Sequence, residues 1–507
     1  MVSPVKLFAL KLKRYFIARR RIVQCAIVIP TMNPIEKSQR MSAVLQTYRR
    51  LYGTGGCRVL HAPARLNILG EHVDYVSYLP TASLPFGSHE HGMTMIFRPN
   101  ETGQVRGASM NKAFAPFSFA LQAEPNFAEQ SWNDYLYSRP TPISHWSNYV
   151  KGAVLFVQHK HQLQHAQGFD FLIDSTIPPQ GGSSSSSALV VLAGAAFRQI
   201  NQIRISRKDL AQDSAQAEWY VGTRGGALDH TTICLAKKNL AIHLSYADNR
   251  AELVALPATG FRWLTFFSQA ADKGKEIMLE YNERAAVARL LIPTIIDDWK
   301  IREPNIYAAW LDGRDYWQSG LRPIAHVQSV LNLHLPKNIS LHEVEKLYPE
   351  AFQQCQLAFP QLVAERTGQA LKIRDRALHH IGEISRVAEA VKILRSEIDD
   401  EAKMRTLGKL LDDSHNSLRD LYEVSPPMVN HLVDIIHADA RVYGTRLIGG
   451  GFGGNVLTLT TTENVQSLIA RVQREYYAPQ QRDGMAEGAV MISMPGDGLK
   501  KLSVKQL

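Results

Sequence analysis

The stretch FDFLIDSTIPPQGGSSSSSALVVLAGAAF, residues 169–197, restricts the possible folds more than any other part of the sequence. It runs from an apolar segment through a loop of small residues into a segment rich in helix formers, which predicts the order strand, loop, helix. The first N–H groups of a helix have no partners within the helix, and small residues let an anion approach them closely. We therefore predict a phosphate-binding loop at residues 181–187, with a flexible serine-rich linker as the alternative.

Two further loops of small residues lie beside apolar segments: APARLNILGEHVDY, residues 62–75, and RLIGGGFGGNVLTL, residues 446–459. Residues 449–454 match GxGxxG, but a strand-like segment follows them where a dinucleotide-binding fingerprint requires a helix. We interpret this loop as a turn packed against a ligand or the first domain, with dinucleotide binding as the alternative. The chain contains neither a Walker P-loop nor a GxSxG nucleophile motif.

The length of 507 residues, with 45% hydrophobic and 21% charged residues, predicts a globular protein of two domains. The formal net charge of +10 comes mostly from residues 1–40, which contain nine Lys or Arg and one acidic residue. The other 467 residues carry 48 basic and 46 acidic residues and are nearly neutral. Binding to nucleic acid or to a membrane surface through the basic tail is therefore not favoured as the main function. We predict no nucleic-acid partner and no membrane span.

The basic N-terminal extension, residues 1–45, is predicted to be poorly ordered. Arg19, Arg20 and Arg21 interrupt the apolar region that a secretory signal needs, and the segment is too charged to span a bilayer. A non-native extension, an organelle transit peptide and a surface-binding amphipathic arm remain as interpretations. The four cysteines are widely spaced and form no CxxC, which predicts free thiols in a reducing compartment and a cytoplasmic location.

The remaining sequence mixes strand-like and helix-like patterns, which predicts an α+β architecture. Strands are predicted at residues 169–173, 240–244, 263–267 and 455–460 from their apolar runs. A long helix is predicted at residues 372–398, where apolar positions step by three or four. A domain boundary is predicted near residue 248.

In their order along the chain, the three loops resemble the signature of the GHMP small-molecule kinases, and most closely that of the galactokinases. RLNILGEHVDY (65–75) looks like the family's sugar-recognition motif, IPPQGGSSSSSAL (177–189) like its phosphate-binding motif and GGGFGG (449–454) like its third motif. WSNYVKG (146–152), EYN (280–282), RALHHIGEI (376–384) and SHNSLRDLYEVS (414–425) are similar to further galactokinase segments.

This resemblance implies a two-domain GHMP kinase fold of the α+β class. The N-terminal domain, residues 46–248, is expected to contain a left-handed βαβ unit. The C-terminal domain, residues 249–507, is expected to be ferredoxin-like and to carry an extra segment at residues 285–370, for which the family offers no counterpart.

The resemblance also implies roles for individual residues. The implied roles are catalysis for Arg65 and Asp229, sugar binding for Glu71, His72, Asp74 and Tyr281, phosphate binding for Gly181, Gly182, Ser183, Ser184, Ser185, Ser186 and Ser187, and magnesium binding for Ser186 and Glu218. Phosphoryl transfer requires mainly positioning and electrostatic stabilisation, which a permanently charged arginine, a carboxylate base and oxygen ligands for Mg²⁺ can supply.

Each assignment has a purely structural alternative. The alternatives are a helix cap for Asp229 and Ser186, an exposed helix position for Glu218, a structural pair with Glu71 for Arg65, a loop position for His72 and a core or surface position for Tyr281. Ala64, Gln180 and Ser183 depart from the family's motifs.

We predict an ATP- and Mg²⁺-dependent kinase that phosphorylates the anomeric hydroxyl of galactose or a related sugar. Its expected partners are ATP and a small-molecule sugar, and its oligomeric state is not predicted. The alternatives are a kinase for an amino sugar, a pentose or a uronic acid, and a non-catalytic sensor that binds sugar and ATP.

Overall fold

The structure is a computed structural model that describes residues 34–121, 130–178, 181–270, 274–318, 324–484 and 488–503. Residues 1–33 of the predicted N-terminal extension lie outside the described residues, as does Gln180.

The helices are α1 (Pro34–Tyr52), α2 (Trp132–Tyr137), α3 (Ser147–His161), α4 (Ser185–Ile200), α5 (Arg207–Glu218), α6 (Leu228–Leu235), α7 (Lys275–Ala286), α8 (Ile292–Arg302), α9 (Pro304–Gln318), α10 (Ile324–His334), α11 (Leu341–Leu347), α12 (Pro349–Ala358), α13 (Pro360–Arg366), α14 (Ile373–Arg395), α15 (Asp400–Asp420), α16 (Pro427–His437) and α17 (Val465–Val472). The strands are β1 (Arg58–Asn67), β2 (Ala82–Ser83), β3 (Pro85–Pro99), β4 (Gln104–Ser109), β5 (Phe117–Ala120), β6 (Phe169–Ser175), β7 (Leu240–Ser245), β8 (Arg250–Ala255), β9 (Phe261–Phe267), β10 (Ile339–Ser340), β11 (Ala370–Leu371), β12 (Val442–Leu447), β13 (Asn455–Thr461), β14 (Val490–Ser493), β15 (Pro495–Gly496) and β16 (Lys500–Leu502).

A seven-stranded sheet carries the N-terminal half, in the order β16-β1-β3-β6-β4-β5, with β15 also paired to β3. β4 and β6 run parallel, and β5, α2 and α3 lie between them in the chain, which gives a βαβ arrangement. After β6 the chain passes through the small-residue loop into α4, whose Val190, Leu192 and Phe197 are fully buried in the same core. The predicted strand, loop and helix are therefore confirmed, and the linker interpretation is wrong.

A four-stranded antiparallel sheet, in the order β12-β13-β9-β14, carries the C-terminal half. The chain between β9 and β12 contains α7 to α16, of which α15 and α16 share the core of this sheet, and α17 lies between β13 and β14. This is the βαββαβ connection of a ferredoxin-like domain, as the resemblance implied. Leu264 and Val456 of the sheet share a core with Leu418, Val429 and Leu432 of the helices.

Helix α1 corrects the predicted extent of the N-terminal extension. Its Val44 and Tyr48 are fully buried against Val59, Ile96 and Leu172 of the first sheet. Residues 34–45 are thus the first part of a helix that packs on the N-terminal sheet, and the boundary at residue 45 falls inside it.

The predicted division at residue 248 also needs correction. It falls in the turn of the β7–β8 hairpin, where Ser245 pairs with Arg250. Moreover, β15 pairs with β3 and β16 pairs with β1, so residues 495–502 belong to the first sheet although they end the described chain. A single cut cannot separate the two halves, because the chain returns to the first one.

The described residues of the segment 285–370 are mostly helical and include α8 to α13, and β10 within the segment pairs with β11 at its end. Trp299, Trp310 and Leu331 form a core that also includes Tyr75, the last residue of the predicted sugar-recognition motif, and Tyr78, which lies three residues beyond it. The segment therefore packs against the end of the predicted sugar-recognition loop. Within the described residues, no helix has the length and apolar character needed to cross a membrane.

Candidate active site

A cavity of about 210 Å³ collects most of the predicted site residues. Among those that line it are Arg65, Glu71, His72, Asp74, Ser186, Ser187, Glu218, Asp229, Tyr281, Gly449 and Gly450. The other predicted phosphate-loop residues, Gly181, Gly182, Ser183, Ser184 and Ser185, directly precede Ser186 in the chain but do not line the cavity. All three loops chosen from the sequence thus meet at one place.

Arg65 and Asp229 form an ion pair at the base of the cavity. Arg65 lies on β1, and its Nε donates to Oδ1 of Asp229 over 2.7 Å. Burial alone would raise the pKa of Asp229, but the charges of Arg65 and His230 and the hydrogen bonds to its carboxylate together hold that pKa below its ordinary value. Nη1 of Arg65 is buried and has no hydrogen-bond partner in the described part of the chain, so it can donate to a ligand.

This geometry decides two structural alternatives. Arg65 pairs with Asp229 and not with Glu71. Asp229 is not the cap of α6, because that position is held by Ala227.

Glu218 ends α5 and points into the cavity, with its side chain only 15% exposed. Its Oε2 accepts a hydrogen bond of 2.8 Å from the hydroxyl of Ser187 and lies 2.7 Å from Nε2 of His230. Burial would raise the pKa of Glu218, yet the bonds from His230 and Ser187 bring that pKa below its ordinary value. The alternative of an exposed helix residue is therefore wrong, and the hydroxyl that contacts Glu218 belongs to Ser187, while Ser186 lines the cavity beside it.

The donor set around Glu218 fits a magnesium ion that a nucleotide helps to bind. Among the described residues, no three or more His, Cys, Asp or Glu side chains cluster as a metal site. Mg²⁺ commonly takes only one or two protein carboxylates and completes its shell with water and substrate phosphates. The ionised carboxylate of Glu218 and the hydroxyls of Ser186 and Ser187 are oxygen donors of the required type.

The predicted phosphate-binding loop leads into a helix whose first turn has no side-chain cap. Ser184, the residue before α4, has a left-handed backbone (φ 63°) and makes no side-chain hydrogen bond to the first turn. The first N–H groups of this 16-residue helix therefore receive no cap from Ser184 and carry the positive end of its dipole. This is the arrangement that binds phosphate groups at helix N-termini.

The loop at residues 446–459 packs directly on the predicted phosphate-binding loop at residues 181–187. The backbone N–H of Asn455 donates to the carbonyl of Gly181 over 2.9 Å, and its side-chain amide donates to the hydroxyl of Ser183 over 2.7 Å. Gly449 has φ 85°, and a Cβ atom there would lie 2.7 Å from Cα of Gly182. The interpretation of this loop as a turn against the first domain is confirmed, and since β13 follows it, the dinucleotide alternative is wrong.

Glu71 and His72 form the opposite wall. Arg446 donates to Oε2 of Glu71 over 2.7 Å in a fully buried ion pair, and Asn67 donates to the same oxygen over 3.2 Å. His72 has φ 59°, and its Nδ1 lies 2.9 Å from the hydroxyl of Tyr75. Burial lowers the pKa of His72 well below its ordinary value, and its Nε2 is buried without a partner among the described residues. A neutral imidazole with one ring nitrogen unpaired suits the hydroxyl of a ligand.

Asp74 and Tyr281 complete this wall. Oδ2 of Asp74 accepts a weak hydrogen bond of 3.3 Å from the backbone N–H of Leu228. Burial and the neighbouring charge of Asp229 raise the pKa of Asp74 to about 6. The ring of Tyr281 lies 6.0 Å from that of His72 and lines the cavity, so the surface alternative for Tyr281 is wrong.

Several residues that contact the predicted site residues were not predicted from the sequence. His230 directly follows Asp229, and that adjacency is the only sequence signal for it. Glu383 lies in RALHHIGEI, and its Oε2 accepts from the backbone N–H groups of Gly70 (2.9 Å) and Glu71 (3.2 Å). Arg446 opens the third loop region, but nothing in the sequence predicts its ion pair with a residue so far away in the chain.

Comparison with known protein families gives three matches, each covering one of the three loops. Residues 46–82 match the galactokinase galactose-binding signature, residues 148–237 the GHMP kinases N-terminal domain and residues 390–478 the GHMP kinases C-terminal domain.

Similar proteins extend over nearly the whole chain. The galactokinase of Candida parapsilosis is 25% identical over 92% of this chain and 95% of its own length. The galactokinase of Glaesserella parasuis serovar 5 is 26% identical over 92% of this chain and all of its own length. Among solved structures, the galactokinase of Lactococcus lactis complexed with galactose has a TM-score of 0.64 at 23% identity, over 91% of this chain and 100% of that one. The matching domains, the order of the three loops and the shared fold agree: this chain contains the N- and C-terminal domains of the GHMP kinases and carries the galactokinase galactose-binding signature.

Proposed function

We propose that this protein transfers the γ-phosphoryl group of ATP to the anomeric hydroxyl of galactose or a closely related sugar. The observation that carries the proposal is the meeting of two sets of side chains in one cavity. Arg65, Glu218 and Asp229 lie beside the start of α4, and Glu71, His72 and Asp74 face them. The two curated relatives described above, each similar over 92% of this chain, are galactokinases, which supports galactose as the sugar.

In this proposal Asp229 orients the sugar hydroxyl and accepts its proton. The pKa of Asp229 is held below its ordinary value, so its carboxylate is ionised at neutral pH and can accept a proton. Arg65 holds Asp229 with Nε and keeps Nη1 for the negative charge that builds up on the transferring phosphoryl group. The N–H groups at the start of α4 hold the remaining phosphates.

The polar wall opposite the phosphates selects the sugar. Glu71 is fixed by Arg446, and His72 by Tyr75, so each presents its acceptor or donor in one orientation. An epimer with a misplaced hydroxyl would leave one of these buried groups without a partner, at a cost of about 1–3 kcal/mol.

We also propose that Glu218 and Ser186 hold Mg²⁺ together with ATP, with Ser187 orienting the carboxylate. The ion would neutralise phosphate charge while the side chains keep the geometry described above. A cytoplasmic location is proposed from the cysteines: Cys57, Cys234 and Cys355 are free thiols, and Cys25 lies outside the described residues.

The test is ADP formation by the full chain with a panel of sugars that includes galactose, its epimers, N-acetylgalactosamine, galacturonate and a pentose. We expect galactose or a close relative to give the highest kcat/KM, and activity to require Mg²⁺. Saturable sugar binding without ADP formation for every sugar would contradict the proposal and support a non-catalytic sensor.

A further inference from the structure

A second, smaller cavity lies beside the proposed active site. It has a volume of about 90 Å³ and is lined by residues of α2, of the loop before α6, of α7 and of the helical segment around Phe359. Residues that are adjacent in the chain line different cavities. Gly225 and Tyr281 line the larger cavity, whereas their neighbours Arg224 and Asn282 line the smaller one. The volume is that of about three water molecules, which leaves room for a phosphate or carboxylate group.

The smaller cavity contains a buried cation without a counter-ion. Arg224 is 9% exposed, and its guanidinium carbon lies 5.2 Å from the ring centre of Tyr137 and 5.5 Å from that of Trp219. In the described part of the chain it forms no ion pair, and its Nη1 is buried without a hydrogen-bond partner. Burial lowers the pKa of Arg224, as expected for a charge that lacks a compensating carboxylate.

A second arginine, Arg139, also lines this cavity. Arg139 donates to the hydroxyl of Tyr220 over 3.0 Å and has no carboxylate partner among the described residues. None of the described lining residues is Asp or Glu. Oδ1 of Asn282 is buried and unpaired there, so it can accept a hydrogen bond from a hydroxyl on the same ligand.

We propose that this cavity binds a small anionic ligand through a phosphate or carboxylate group, with Arg224 as the main anchor and Arg139 as the second. A buried guanidinium is costly when unpaired, and two forked donors match the oxygens of either group. The anion reaches the cavity either as a free molecule or as an acidic substituent of a sugar in the larger cavity. The proposal does not depend on the kinase reaction.

The test is calorimetric titration of inorganic phosphate into the full chain, saturated with galactose and a non-hydrolysable ATP analogue so that the larger cavity is filled. We expect one phosphate per chain, with affinity at least about tenfold weaker in Arg224→Gln and weaker also in Arg139→Gln. Arg302→Gln, on the exposed surface of α8, is the matched control and should bind phosphate as the unaltered protein does.

A parallel titration compares galacturonate with galactose in the absence of phosphate. If Arg224→Gln weakens the binding of galacturonate, the ligand of the smaller cavity is an acidic group carried by the sugar. If it weakens only the binding of phosphate, the ligand is a free anion. Absence of both forms of binding in the unaltered protein would overturn the proposal, as would unchanged binding in the two arginine variants. If Arg224→Gln does not fold, phosphate binding by Arg139→Gln still tests the proposal. Galactose turnover of the variants is measured separately, so a failure of anion binding can be distinguished from a failure of the kinase proposal.

Discussion

Asp229 is the residue on which the proposed chemistry depends most. Asp229→Asn keeps the size of the side chain but removes its capacity to accept a proton. We expect kcat to fall by about 10²–10⁴-fold, while the dissociation constants for sugar and ATP change only a few-fold. Steady-state kinetics combined with calorimetry measures both, and Asp248→Asn, on the exposed β7–β8 turn, is the control. Turnover near that of the control would remove Asp229 from the role of base.

We expect Asp74 to make sugar binding dependent on pH. Its pKa in the folded protein is about 6, and only the ionised form accepts hydrogen bonds with both oxygens. As the pH falls below 6, we expect the KM for sugar to rise by about tenfold per pH unit, whereas it should be constant between pH 7 and 8. Asp74→Asn should raise KM at pH 7.5 and remove this acid limb. A KM for the unaltered protein that stays level from pH 7.5 to 5 would show that the Asp74 carboxylate does not bind the sugar.

At the scale of elements, the site depends on close backbone contact between the predicted phosphate-binding loop (181–187) and the loop at residues 446–459. Gly449→Ala would place a Cβ 2.7 Å from Gly182 in a left-handed conformation. We expect a loss of about 1–3 kcal/mol in the free energy of unfolding, together with a higher KM for ATP, because the phosphate loop must move. Urea unfolding and steady-state kinetics measure the two effects. Gly368→Ala is the control, since a Cβ there meets nothing within 4 Å; equal behaviour of the two variants would mean that the loops do not support each other.

At the scale of the whole molecule, we expect the N-terminal sheet to require α1, whose Val44 and Tyr48 pack on it, but not residues 1–31. Deleting residues 1–31 should leave both kinetics and thermal stability unchanged. Deleting residues 1–52 removes Val44 and Tyr48 from the sheet, which should cost about 3 kcal/mol or more. Thermal unfolding of the two truncated proteins tests this. A collapse of activity in the shorter deletion would show that the basic extension belongs to the working protein.

The sequence predicted the local parts of this molecule well and the long-range parts poorly. β6 and α4 follow from apolar runs and helix formers, and the three loops that meet at the cavity were chosen correctly. The return of β15 and β16 to the first sheet was missed because strands of two and three residues carry no periodic signal. The pair of Arg446 with Glu71 was missed for a similar reason: it depends on how two distant segments pack, and neither residue signals its partner.

The measurement that tests the central claim most directly is ³¹P and ¹H NMR of the product formed from ATP and galactose. The account predicts a single sugar phosphate with phosphorus coupled to the anomeric proton, formed by the unaltered protein and not, on the same time scale, by Asp229→Asn. A phosphate on any other hydroxyl, or ATP hydrolysis without a phosphorylated sugar, would contradict it.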